Sequence, residues 1–276
     1  MRAPSCLLVL PLVSGCAPAP ATGEAAPEDA SAVRPGPVAA PQPEPLRVLV
    51  TGFNDWKDLG DPPNLWRCRD NPSCRLLVGD PLVDAPAKFE GPLVPALHAA
   101  AGDRAIVWSF ATLPVTWGVS TERTPYTEHD VVVHVGLGVY DRDDEVFVEA
   151  GAYNLRRGTD AAGKRAEEAI FESQPQVMEA PPKVAAAVQA VDGLVFGTMT
   201  ARTMPARPQN TYLCNETHSL ALDAVRRSQA EGGPLEAAFF VHIPQPAGED
   251  WPALAESVAG VVLALVGDGA GDSSAD

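Results

Sequence analysis

Residues 130–136 read Asp130-Val131-Val132-Val133-His134-Val135-Gly136, and no regular polar position alternates with the valines. A β-branched run of this kind is a strand buried on both faces. Such a strand needs sheet neighbours beside it and helices covering both sides. The rest of the chain offers both. Arg47-Val48-Leu49-Val50-Thr51-Gly52-Phe53 reads as a buried strand ending in a glycine turn, and Ala237-Ala238-Phe239-Phe240-Val241-His242-Ile243 as another, stopped by Pro244. Further strands are expected at 105–110, 146–149 and 194–198. Helices are expected after Asn71-Pro72-Ser73, over 183–191 behind Pro181-Pro182, downstream of Cys214, and over 251–266, where Leu254, Val258, Val261 and Leu265 share one face. Strands alternating with helices predict an α/β fold: one domain, residues 46–266, built as a three-layer α/β/α arrangement around a largely parallel sheet. In such sheets active residues gather near the carboxyl ends of strands.

That domain does not use all 276 residues. Residues 1–15 have the make-up of a short signal peptide: Arg2, the apolar run Cys6 to Val13, then small Ser14-Gly15. The run is too short to span a bilayer as a helix. Val13-Ser14-Gly15-Cys16 resembles a bacterial lipobox, which implies cleavage before a lipidated Cys16. Residues 16–45 follow as a tether. From Ala17 to Pro45 there are eight prolines, nine alanines and no aromatic residue, too little apolar surface to offset the entropy of ordering. Residues 267–276, rich in Gly, Asp and Ser, are expected to fray. The address this implies is an exported protein of the bacterial cell envelope, held to a membrane only through its N-terminal lipid. A formal net charge of −16 argues against nucleic acid and anionic lipid surfaces as partners.

Five cysteines sort by position. Cys6 leaves with the signal and Cys16 takes the lipid. Cys68 and Cys74 can close a small disulfide loop in an oxidising compartment, which leaves Cys214 as the odd thiol. No His or Cys cluster has zinc-ligand spacing, so no metal and no cofactor is expected. Gly136-Leu137-Gly138 follows a strand but lacks the third glycine and the helix of a dinucleotide fingerprint.

Cys214 stands where a breaker-rich loop, Met204 to Asn210, passes into a helix, with Asn210 placed as the N-cap. The helix dipole and the orphan N–H groups there are expected to lower the thiol pKa toward a reactive thiolate. A buried cysteine serves equally as a small hydrophobe. A thiol nucleophile needs a base within reach and a group to orient that base. His242, at the end of its strand, is the candidate base, with His218, one turn beyond Cys214, as the rival. Glu149 ends the strand Val146-Phe147-Val148, where a carboxylate must find a partner if buried; Arg156 and Arg157 are also candidates for it. His98 and His129 carry no signal, and His134 reads as core.

These residues together resemble pyroglutamyl peptidase I, the pyrrolidone-carboxylate peptidase family of cysteine exopeptidases. The resemblance runs in order through Val48 to Phe53, Asn71-Pro72-Ser73, Leu113-Pro114-Val115, His134-Val135-Gly136, Glu149-Ala150-Gly151-Ala152-Tyr153-Asn154, Tyr212-Leu213-Cys214-Asn215 and Val241-His242-Ile243-Pro244. It implies a Cys214 nucleophile, a His242 base and a Glu149 orienting acid, acting on small peptides that begin with pyroglutamate. It also implies a lactam site walled by Phe53 and Trp56, with Leu213 and Asn215 contributing. The chain departs from the family at Gln209-Asn210, where the family has Ala-Gly, in an insertion reaching to about Asp70, and in the tether and lipobox. Those departures keep two other readings open: a non-catalytic binding lipoprotein of the same fold, and a thiol amidase of altered specificity.

Overall fold

The computed structural model describes residues 44–57, 65–79, 88–139 and 141–267. The strands are β1 (Leu46–Phe53), β2 (Trp56–Lys57), β3 (Leu65–Trp66), β4 (Ile106–Leu113), β5 (Val131–Val139), β6 (Glu145–Glu149), β7 (Gly151–Tyr153), β8 (Arg156–Thr159), β9 (Arg165–Glu168), β10 (Val177–Glu179), β11 (Val195–Phe196), β12 (Met199–Met204) and β13 (Ala237–Pro244). The helices are α1 (Pro72–Val78), α2 (Leu93–Ala101), α3 (Val119–Arg123), α4 (Pro182–Val191), α5 (Leu213–Glu231) and α6 (Trp251–Gly267). Seven strands form the central sheet in the order β11-β12-β6-β13-β5-β1-β4. β4, β1, β5 and β13 run parallel to one another, and β6 runs parallel to β12 but antiparallel to β13.

Side-chain alternation sorts the core into two layers. Val48 and Val50, Val131, Val133 and Val135, and Phe239, Val241 and Ile243 pack into one cluster with side chains of α1, α2, α4 and α6. Leu49, Val132 and Ala238 point the other way and meet Ala221, Ala224 and Val225 of α5. The valine run of β5 is therefore covered on both sides, giving the three-layer α/β/α fold. The same alternation puts Thr51, His134, Gly136, Gly138, Phe240 and His242 on the α5 side.

Helix starts follow local chemistry. At α1, Asn71 accepts from the Ser73 N–H, and proline occupies the first turn, where an N–H is not needed. α2 also begins among prolines (Pro92, Pro95) and closes at Gly102. The expected strand at 194–198 is a hairpin instead: β11 turns through Gly197, at φ +57, into β12. Residues 1–43, which carry the signal, Cys16 and nearly all of the tether, and the tail beyond Gly267 lie outside the described residues. No helix among the described residues is long and apolar enough to cross a membrane.

Candidate active site

Buried polar side chains collect between the sheet and α5. Thr51, His134, Glu149 and His242 from strands, and Asn215, Glu216, His218 and Ser219 from α5, are all buried. Such a layer costs free energy unless its members are paired, so it marks the region where sequence was selected for something besides packing.

One pair is short and shielded. The His242 Nε2 lies 2.5 Å from Glu149 Oε1, with Glu149 only 1% exposed. The antiparallel step explains how they meet. In register, Val148 faces Val241 and Phe147 faces His242, so Glu149 stands across from Phe240 and reaches diagonally to the next inward side chain. A carboxylate on Nε2 fixes the proton there and leaves Nδ1 with its lone pair. That Nδ1 has no hydrogen-bond partner among the described residues. Burial pushes the Glu149 pKa up, but the His242 hydrogen bond and charge, the His218 charge and the Asn210 hydrogen bond together hold it below its ordinary value.

The free nitrogen and the sulfur both lie over β5. A methyl group built on Gly136 would stand 3.1 Å from Cys214 Sγ, and one on Gly138 would stand 2.0 Å from His242 Nδ1. Gly136 and Gly138 are two apart and share one face of the strand. The methyl on Gly136 would come closer still to the Phe240 ring, at 2.8 Å, so the two glycines that fell short of a nucleotide motif leave room for the Phe240 ring and the thiol and for the imidazole. The thiol itself corrects the sequence expectation. Burial raises the Cys214 pKa, the Glu149 charge raises it further, and its own backbone N–H offsets little of this. The thiol and the unpartnered Nδ1 of His242 therefore lie over neighbouring same-face positions of one strand.

Beside the sulfur is an open cleft with a cavity of about 60 Å³, lined by Phe53, Trp56, Asn71, Leu137, Leu213 and Cys214 together with Val115 and Tyr212. Its floor is tied down by Asn71, whose Nδ2 donates to the Phe53 and Asn54 carbonyls at 3.0 and 2.9 Å. Asn71 lies within the loop closed by the Cys68–Cys74 disulfide. The Cys68 N–H donates to Asp55 Oδ1 at 2.8 Å, next to Trp56. The double variant Cys68→Ser/Cys74→Ser is expected to lose about 2 kcal/mol of stability, the scale of closing so short a loop. Urea unfolding reads the effect.

Other sequence-stated candidates resolve differently. Asn215 does not line the cleft: its Oδ1 accepts from the Tyr153 N–H at 2.7 Å and its Nδ2 donates to the Tyr153 and Leu155 carbonyls at 2.6 and 3.0 Å. It fastens α5 to β7. Asn210 is not the N-cap of α5; Tyr212 is, without a side-chain capping bond. Asn210 Nδ2 instead donates to Glu149 Oε1 at 2.9 Å. Arg156 pairs with Glu216 at 3.1 Å and Arg157 with Glu167 at 3.4 Å, so neither serves Glu149. His218 is fully buried, with both ring nitrogens unpartnered and its ring edge-on to Phe240. His134 pairs with Thr51 Oγ1 at 2.6 Å. Among the described residues no group of three or more His, Cys, Asp or Glu could hold a metal ion.

These buried rings make a pH prediction. Burial, helped by the His218 charge, lowers the His134 pKa to about 3, and burial also lowers that of His218. Both bind a proton less readily when folded than in the unfolded chain, which takes up protons below about pH 6.5. Stability is therefore complete above that pH and falls as pH drops from 6.5 toward the folded values. Thermal unfolding should show Tm falling between pH 7 and 5, before carboxylates titrate, and His134→Gln should flatten that slope.

No protein-family model matches the chain, and no curated protein matches it at a significant level. Solved structures do. A point mutant of the pyrrolidone carboxyl peptidase of the hyperthermophile Pyrococcus furiosus is 21% identical at a TM-score of 0.53, over 81% of this chain and 100% of that one. The pyrrolidone carboxyl peptidase of Thermococcus litoralis is 20% identical at a TM-score of 0.50, over 80% of this chain and 94% of that one. At one residue in five, this likeness establishes the fold.

Proposed function

We propose that this fold carries a cysteine exopeptidase that removes N-terminal pyroglutamate from peptides, on a protein anchored to the bacterial envelope through a lipidated Cys16. The observation that carries the reading is the Glu149–His242 pair. Its open Nδ1 faces Gly138, two residues along β5 from the glycine under the Cys214 sulfur, beside a cleft containing Phe53, Trp56 and Leu213. The fold shared with proteins named as pyrrolidone carboxyl peptidases and the ordered sequence resemblance support it.

In this reading a flat, neutral lactam enters the aromatic cleft. Cys214 Sγ attacks the carbonyl carbon while His242 Nδ1 takes the thiol proton, so no free thiolate has to be stored at rest. The first-turn N–H groups of α5 serve the oxyanion, since Tyr212 provides no side-chain cap that would occupy them. Collapse breaks the amide C–N bond; the imidazolium returns its proton to the leaving amine, and a thioester remains. Water, deprotonated by the same nitrogen, then hydrolyses the thioester, freeing pyroglutamate and the thiol. Glu149 keeps the proton on Nε2 throughout.

A second reading, a binding lipoprotein without turnover, is favoured by the raised thiol pKa and by the lack of any hydrogen bond on Nδ1. A fluorogenic pyroglutamyl amide separates the two. Turnover that disappears in Cys214→Ala, with an acyl adduct on Cys214 seen by mass spectrometry of the quenched enzyme, supports the peptidase. A folded wild type that binds the amide without cleaving it overturns it, and cleavage of other amides alone points to altered specificity. Metabolic labelling with a radiolabelled fatty acid, lost in Cys16→Ser, tests the anchor.

A further inference from the structure

Asn210 stands four residues before the nucleophile, where a turn bond from its N–H to the Arg207 carbonyl at 3.0 Å sets its backbone. The next residue is also tied, the Arg157 N–H donating to the Thr211 carbonyl at 2.7 Å. From this fixed base the Asn210 side chain crosses to β6 and donates to Glu149 Oε1, the same oxygen that accepts from His242. Among the described residues Glu149 Oε2 is buried without a partner, so Asn210 and His242 are the two hydrogen-bond donors on this carboxylate there. We propose that Asn210 is a positioning residue, holding the Glu149 carboxylate in the orientation that aims His242 and tying the nucleophile's loop to the acid. The proposal rests on the peptidase reading above, because it assigns Asn210 a part in that same constellation.

The physical effect has a sign. A neutral donor on a buried carboxylate withdraws part of its charge from the imidazole and limits its freedom to turn. Removing it leaves Glu149 bound to His242 alone, with more charge directed at the ring and less to hold its plane. The ring should then bind its proton more tightly and sit less well for transfer. Besides His242 of β13, the His218 charge on α5 acts on Glu149, Arg226 acts on His218 in turn, and Glu149 itself acts on Cys214 of α5. Asn210→Ala leaves all of these in place.

Two variants test this. Asn210→Ala removes the donor, and Asn210→Asp keeps the shape but sets a second carboxylate against Glu149. In both, kcat on the pyroglutamyl amide should fall about 10- to 100-fold, the scale for groups that orient a reacting side chain, with KM nearly unchanged. The acid limb of kcat/KM should move to higher pH, further in Asn210→Asp. Proton NMR titration of His242, in a Cys214→Ala background, should show the ring's proton affinity raised at least about threefold. This last readout needs no turnover. If the wild type cleaves nothing yet the His242 titration moves, the peptidase reading fails and the positioning role stands. If the wild type turns over while both kcat and the titration ignore Asn210→Ala, the positioning role is overturned alone. A lower Tm with an unmoved titration means that Asn210 only braces the loop, which also overturns it.

Discussion

Gly138→Ala is expected to lower kcat on a pyroglutamyl amide by about 10³-fold or more while the protein stays folded. The new methyl would stand 2.0 Å from His242 Nδ1 and 2.7 Å from Cγ. Ordinary contact begins at 3.4 Å, so the ring must retreat by more than an ångström or β5 must move. The strand has little room. Its N-terminal half is paired to β1 and both flanks of Gly138 to β13, and Gly138 is the extra residue where the β13 register slips between Ile243 and Pro244. The ring is hemmed in as well, by Glu149 at 2.5 Å and by the Phe240 ring at 4.8 Å between centroids. Misplacement by an ångström costs about 100-fold, and loss of a general base about 100- to 10,000-fold, so the combined effect is large without touching any reacting atom. Stability should fall by about 1–3 kcal/mol, the cost of overpacking a core site. Single-turnover kinetics with near-UV circular dichroism measure both, and kcat within tenfold of wild type would mean that the proton is not carried on Nδ1.

That glycine shows where sequence reading stops. The valine run of β5, the proline-capped start of α1 and the amphipathic face of α6 are local signals, and the fold built on them is what periodicity implied. Cys214, His242 and Glu149 were each visible as a reactive type at the end of an element. What joins them was not. Glu149 meets His242 only because β6 runs against β13, a pairing between residues 93 apart in the chain. The ribbon of β8 and β9 has no apolar period at all. Its antiparallel ladder sets opposite charges across from one another, Arg156 facing Glu168 and Arg157 facing Glu167. Asn210 reads as a cap because a polar side chain before a helix usually is one. Its partner 61 residues away is a tertiary fact. The thiol pKa failed for the same reason: the helix terminus is written locally, whereas desolvation and the Glu149 charge come from the folded surroundings.

Glu149→Gln should cost about 10⁴-fold in kcat, the scale observed when the acid of a catalytic triad is turned into its amide. The carboxylate accepts only, so it fixes the proton on His242 Nε2 and leaves Nδ1 open. An amide can turn its NH₂ toward the ring, which moves the proton to Nδ1 and abolishes the base. It also cannot stabilise the imidazolium that forms as the thiol is deprotonated. The stability effect has its own pH signature. Because the folded pKa of Glu149 lies below its unfolded value of about 4.5, its contribution is complete above that pH and is lost as pH falls through the folded value. The variant should therefore be less stable than the wild type at pH 7, by about 1–3 kcal/mol for a weakened buried pair, with the deficit shrinking below pH 4.5. Urea unfolding at pH 7 and pH 4 reads this, and stopped-flow hydrolysis reads kcat. A variant that keeps kcat within tenfold yet shows the stability deficit would make Glu149 a structural partner of His242, and the base would have to be oriented by something else.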